Sequence, residues 1–462
     1  MVPLRRAQCG VGRAPRSVVL LAALLVVPLE APLATPLPSS ALGAVSGLLR
    51  HVGSDVAATV TAPVKKASSA SAGSTAVVVL ERLLRWLAPV NDSVTASTLM
   101  VDLGYPMETH FVTTKDGYRL RLERAPNPGK QPVFVAHGMQ TAAPCFVLLG
   151  RGKALAPLLH DAGYDVWMIN FRGTHYSQEH IKYSKTDEEY WKFSWHEHGV
   201  LDNPAAIDYV LARTHFPSVM YASHSMGSTS FMVMAAMRPE YQRKVSAAFL
   251  MAPAGSLHGH RSPVVKLLHA VNNATQPLVE DLGLRRTMRP LYLALRRLLK
   301  LLLPVARPLL YAFTFAIVGF KKHETYYELP HFADTIPSGG SWGQIFHYEQ
   351  NANHDTQGIR QYDHGAERNQ ELYGMPEPPL YNLSAIRTPI HLYLGKNDVL
   401  CSERDMDFLR SQLPNVVSVH VDEDDAFNHM DFIASTAVGG RMNARIVADM
   451  QRFSAADAEE ES

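Results

Sequence analysis

Six short apolar runs punctuate this 462-residue sequence and limit what it can fold into: PVFVA (132–136), DVWMIN (165–170), SVMYA (218–222), SAAFLMA (246–252), IHLYLG (390–395) and VSVHV (417–421). Each has the length of a strand buried on both faces, and text with helical spacing, such as NPAAIDYVLART from Asn203, fills the intervals. Strands that alternate with helices require right-handed crossovers, so the predicted fold class is α/β with a mainly parallel sheet flanked by helices. Such sheets bind ligands beyond the carboxyl ends of their strands. Upstream, alternating apolar and polar residues around Asp116-Gly117 predict a β-hairpin whose turn takes its positive φ from that pair.

The amino terminus has a different texture. Four arginines precede an apolar block from Val18 to Leu29, which is shorter than the ~20 residues a membrane-crossing helix needs. This reads as a secretory signal peptide within 1–43, cleaved between Ala31 and Ala44. Residues 44–98, rich in Ala, Ser, Val and Thr, read as a low-complexity linker or propiece with one amphipathic segment, TAVVVLERLLRWLAPV. Secretion agrees with N-x-S/T sequons at Asn91, Asn273 and Asn382, which are the glycosylation candidates. Loss of Cys9 with the signal leaves Cys145 and Cys401, able to form one disulfide or none.

The strand and helix alternation covers 99–256 and resumes at 373–462, which predicts one core interrupted by an insertion at 257–372. Within the insertion, RPLYLALRRLLKLLLPVARPLLYAFTFAIVGF is very apolar but broken by Pro304 and Pro308. Two readings stand at this level: a cap of amphipathic helices offering an apolar face to lipid, or helices packed on the core with snorkelling Arg and Lys. A formal net charge of +1 argues against a nucleic-acid partner. No metal is expected, because neither cysteine sits in C-x-x-C and the pairs His196/His198 and His258/His260 have no third ligand nearby in sequence.

Two serines compete as nucleophile. Ser341 lies in a literal G-x-S-x-G, Gly339-Gly340-Ser341-Trp342-Gly343, yet a loop containing Pro337 precedes it where a strand is required. Ser225, in Ser223-His224-Ser225-Met226-Gly227, has both the strand before and the helix-forming MGSTSFMVMAAM after. Its first small residue is serine in place of glycine, so a buried turn without a reactive serine stays open as an alternative. A serine hydroxyl needs a base oriented by a carboxylate. Asp398 follows the strand at 390–395, and His429 lies in the loop after the last predicted strand. The chain order Ser225, Asp398, His429 is that of the α/β-hydrolase triad. Backbone N–H groups of Met226, at a helix start, and of Met139, in FVAHGMQ, are the candidate oxyanion donors.

These residues sit in a longer match. GYPMETHFVTTKDGYRLRLERAP, HGM, AGYDVWMINFRGTHYS, YWKFSWHE, YDHG, PPLYNLSAIRTPIHLYLGKNDVL and FNHMDFI, in this order over about 103–454, resemble the animal acid lipases, the group of gastric lipase and lysosomal acid lipase. The resemblance implies an α/β-hydrolase core with a helical cap, a secreted or lysosomal location, and cofactor-free hydrolysis of triacylglycerols or cholesteryl esters. It puts the nucleophile on Ser225, the acid on Asp398, the base on His429 and the oxyanion amides on Met139 and Met226. Departures are Met226 where the family usually has glutamine, Ser223 where it has glycine, and a cap lacking the cysteines some members carry. The expected partner is a lipid ester, with a lipid or membrane interface met through the cap. A silent lipid-binding relative and an esterase for small or specialised esters are the alternatives.

Overall fold

The computed structural model describes residues 93–263, 265–266, 297, 300, 311–312, 314–321, 326 and 329–460. The expected signal peptide, most of the linker, the sequons at Asn91 and Asn273 and most of the apolar stretch at 289–320 lie outside the described residues. Asn382 is described and exposed.

Among the described residues, nine strands form one sheet: β1 (Glu108–Thr113), β2 (Tyr118–Ala125), β3 (Pro132–Ala136), β4 (Asp165–Asn170), β5 (Glu179–His180), β6 (Val219–His224), β7 (Val245–Met251), β8 (Ile390–Leu394) and β9 (Val416–Val421). Their order is β1-β2-β4-β3-β6-β7-β8-β9, with β5 paired to β2. From β4 through β9 every neighbouring pair is parallel. β1 and β2 form the expected hairpin, closed by hydrogen bonds from Gly117 N–H to Thr114 O and from Thr114 N–H to Tyr118 O. The predicted α/β-hydrolase class is therefore the one observed.

Strand alternation explains the continuous apolar runs. In β3, Val133 and Val135 point into one buried cluster with Val166, Met168 and Met220, while Phe134 and Ala136 point into the other with Trp167 and Tyr221. A sheet covered on both faces needs apolar residues at every position. The covering helices include α1 (Asn203–Thr214), α2 (Met226–Met237), α3 (Trp342–Ala352), α4 (Glu403–Gln412) and α5 (Ala444–Glu460). α1 spans the segment whose spacing predicted it, with Ala206, Ile207 and Val210 on its buried side.

β6 runs two residues beyond its apolar text. Ser223 and His224 stay in register with Leu250 and Met251 of β7, and Ser223 also pairs with Ala136 of β3, so polar side chains continue a strand that periodicity ends at Ala222. This extension delivers the chain to Ser225 at the carboxyl edge of the sheet.

Candidate active site

Ser225 sits between β6 and α2 with φ 55° and ψ −118°. A non-glycine residue there is strained, and surrounding contacts have to hold it. Its N–H donates to Met251 O at 2.9 Å, and its own carbonyl accepts from Ser228 N–H at 2.9 Å in the first turn of α2. Helix and strand come very close: a Cβ on Gly227 would lie 2.4 Å from Ala136 O. Glycine is needed at that position for room. At Ser223 it is not, since that residue has ordinary strand geometry and its Oγ lies 2.9 Å from Ser228 Oγ, fully buried. The hydroxyl that departs from the family pattern is thus paired with a second one inside the elbow.

Asp398 and His429 arrive from the loops after β8 and β9. Asp398 follows β8, and its Oδ1 accepts N–H bonds from Leu400 at 2.9 Å and Cys401 at 2.8 Å. Its Oδ2 lies 2.7 Å from His429 Nδ1, and His429 Nε2 lies 2.8 Å from Ser225 Oγ. A carboxylate at Nδ1 fixes the imidazole as the Nδ1–H tautomer, which leaves Nε2 bare to accept from the serine hydroxyl. All three residues are buried, with Ser225 the most accessible at 8%. The arrangement can pass a proton from the hydroxyl to the imidazole and return it.

Met139 and Met226, named as oxyanion donors, sit on either side of the elbow: Met139 in the loop after β3 and Met226 at the first position of α2. Among the described residues, neither amide donates to a loop carbonyl. The β3 loop is held from behind by His137, whose Nε2 accepts Phe171 N–H at 3.1 Å while Nδ1 reaches Gly138 O at 2.8 Å. Burial pushes His137 down to about 4, so the ring is neutral.

Residues 318–321 and Tyr326 touch the loops that carry His429 and Asp398 directly. His429 N–H donates to Val318 O at 3.3 Å, Asn428 Nδ2 donates to Gly319 O at 2.8 Å, and Asn397 Nδ2 donates to Phe320 O. Lys321 Nζ lies 2.8 Å from Asp431 Oδ2, and Tyr326 O–H donates to Asn428 Oδ1 at 3.0 Å. Sequence reasoning missed these residues, as it missed His224, whose Nε2 lies 2.9 Å from His429 O. The signal available was proximity: Asn428 and Asp431 flank His429, and His224 adjoins Ser225.

The other candidates take structural places. Ser341 caps α3, accepting Gln344 N–H at 3.3 Å and donating to Phe193 O. His196 bonds Tyr381 O–H, and His198 bonds Gln344. Cys145 and Cys401 are both free thiols, so no disulfide joins them. Among the described residues the one grouping with metal-ligand spacing is Asp398, Cys401 and His429.

Comparison with known proteins fits this geometry. The model of the alpha/beta hydrolase fold matches residues 131–433, and that of the partial alpha/beta-hydrolase lipase region matches 96–150. Among curated relatives, Lipase 3 of Drosophila melanogaster is 36% identical over 76% of this chain and 91% of its own. Lipase 1 of the same organism is 33% identical over 76% of this chain and 79% of its own. Gastric triacylglycerol lipase of Bos taurus is 32% identical over 74% and 87%. With sheet order, elbow and relatives in agreement, the chain belongs to the acid lipase family of the α/β hydrolases and is a carboxylic ester hydrolase.

Proposed function

We propose that the chain is a lipase that hydrolyses esters of neutral lipids, triacylglycerols or cholesteryl esters, through a Ser225 acyl-enzyme. The observation that carries this reading is the unbroken run Asp398 Oδ2, His429 Nδ1, His429 Nε2, Ser225 Oγ, at 2.7 and 2.8 Å. Ser225 Oγ attacks the ester carbonyl as His429 Nε2 takes its proton, and the amides of Met139 and Met226 receive the oxyanion. His429 then protonates the leaving alcohol. Water, deprotonated by the same nitrogen, releases the fatty acid and restores the hydroxyl. Asp398 keeps the imidazole in the required tautomer, and the two amides it accepts from Leu400 and Cys401 hold its carboxylate in place.

Residues 257–372 form a cap over a core made of 99–256 and 373–462, and an apolar cap face meets lipid. Three relatives carry names that support a lipid ester, since all are called gastric triacylglycerol lipase. The chain is secreted or lysosomal, entering by its amino-terminal signal, and Asn382 carries glycan. No helix among the described residues is long and apolar enough to cross a membrane.

Labelling by an alkyl fluorophosphonate tests the nucleophile, because an activated serine reacts and an idle one does not. Labelling of the wild-type chain and its loss in Ser225→Ala, with the fold intact by circular dichroism, is the expected result. Equal labelling of both would refute the assignment. Rates on long-chain and short-chain esters, with and without an oil–water interface, decide between a lipase and an esterase for small substrates.

A further inference from the structure

The fold places a thiol against the base, although 28 residues separate them in sequence. Cys401 Sγ lies 3.7 Å from His429 Nδ1, on the side of the imidazole that faces Asp398. The Cys401 thiol, the His429 nitrogen and an Asp398 oxygen lie within 4.8 Å of one another, and all three residues are buried. We propose that Asp398, Cys401 and His429 form an inhibitory binding site for zinc(II). The proposal rests on the triad reading for its effect on activity, but not for the binding itself.

Ligand geometry supports the choice of ion. With Zn–S about 2.3 Å and Zn–N about 2.0 Å, two ligands at a tetrahedral angle stand about 3.5 Å apart. The observed sulfur–nitrogen separation of 3.7 Å is close to that edge. The nitrogen–oxygen edge, now 2.7 Å, has to open by roughly 0.7 Å on the same bond lengths. A thiolate, an imidazole and a carboxylate together suit zinc better than a hard cation.

Charge points the same way. The Asp398 carboxylate favours a dication, and a dication in turn stabilises a thiolate. The proton balance explains the inhibition. Zinc displaces the thiol proton to solvent and takes Nδ1 of His429, whose proton moves to Nε2. That nitrogen is then a donor toward Ser225 Oγ, so it has no lone pair with which to accept the serine proton.

The test uses the full chain in metal-free buffer with zinc chloride added, each variant compared with its own zinc-free rate. Cys401→Ala and the closer Cys401→Ser are expected to raise the half-inhibiting zinc concentration by at least about 10-fold. Binding is read separately with cobalt(II) on the Ser225→Ala chain, which has no turnover to monitor. A near-ultraviolet thiolate-to-cobalt absorption that disappears on adding Cys401→Ala is expected. Equal zinc inhibition of wild type and both Cys401 variants, or no cobalt–thiolate band, overturns the proposal. Fluorophosphonate labelling of Ser225 in zinc-free buffer reports on the triad reading independently, so failure of either idea is recognisable.

Discussion

His224, the residue before the elbow serine, donates its Nε2–H to the main-chain carbonyl of His429 at 2.9 Å. A carbonyl can only accept, so the His224 ring is held as the Nε2–H tautomer. Strand β6 therefore holds the base loop from below through one imidazole. Burial, with His429 next to it, pushes His224 down to about 3.

A pH dependence of stability follows. His137 and His224 are neutral in the folded chain, with values of about 4 and about 3, against an ordinary 6.5 when unfolded. Below pH 6.5 the unfolded chain binds more protons than the folded one, so these residues contribute fully above pH 6.5 and their contribution is lost as pH falls toward 4. For His137 alone the loss reaches about 3 kcal/mol by pH 4. Denaturant unfolding at pH 7, 5.5 and 4 should show a shallower decline in His224→Gln than in wild type, and parallel declines would contradict the assignment.

Asp398→Asn tests the orienting role. An amide in place of the carboxylate can present its NH2 group to Nδ1, which stabilises the wrong tautomer and turns a proton toward Ser225. The expected fall in kcat is about 10^4-fold with KM little changed. Steady-state kinetics on a soluble fatty-acyl ester would expose a wrong assignment as a kcat within a few-fold of wild type.

Gly227→Ala should damage the elbow sterically. Its new Cβ would meet Ala136 O at 2.4 Å and His137 O at 3.0 Å, both main-chain atoms that cannot swing aside. A loss of about 1–3 kcal/mol is expected, together with reduced kcat as the neighbouring Met226 amide shifts. Unfolding midpoints and single-turnover rates measure the two effects separately.

Ser341→Ala is the counterpart of Ser225→Ala. Ser341 caps α3 and bonds Phe193 O, and it has no part in the proposed chemistry. Removing its hydroxyl should cost about 1 kcal/mol of stability, with fluorophosphonate labelling unchanged. Loss of labelling in a variant that remains folded would reopen the choice between the two serines.

Much of the core was legible because buried parallel strands write themselves as uninterrupted apolar runs, and all six such runs became strands. The order Ser225, Asp398, His429 was legible because crossover topology brings successive loops to one sheet edge, and the structure does bring these three side chains together. Ser223 and His224 read as turn residues because polarity hides strand register, which depends on neighbours in β3 and β7. Cys401 gave no signal at all: its contact with His429 joins the loops after β8 and β9, and no local spacing encodes it. The contacts of Val318 and Gly319 with the base loop are also invisible in sequence, being made by main-chain carbonyls that every residue type carries.

That last contact restricts how the stretch around 318–320 can be rebuilt. Carbonyls of Val318, Gly319 and Phe320 receive the base and acid loops, and a Cβ on Gly319 would lie 2.0 Å from Asn397 O. The path of the chain there is fixed even where its side chains are free to vary, as at the 67% exposed Phe320. A chimaera borrowing this region from a relative would therefore keep the host's own 318–326 and splice outside it. New specificity is easier to reach by changing letters around that seam than by changing its length.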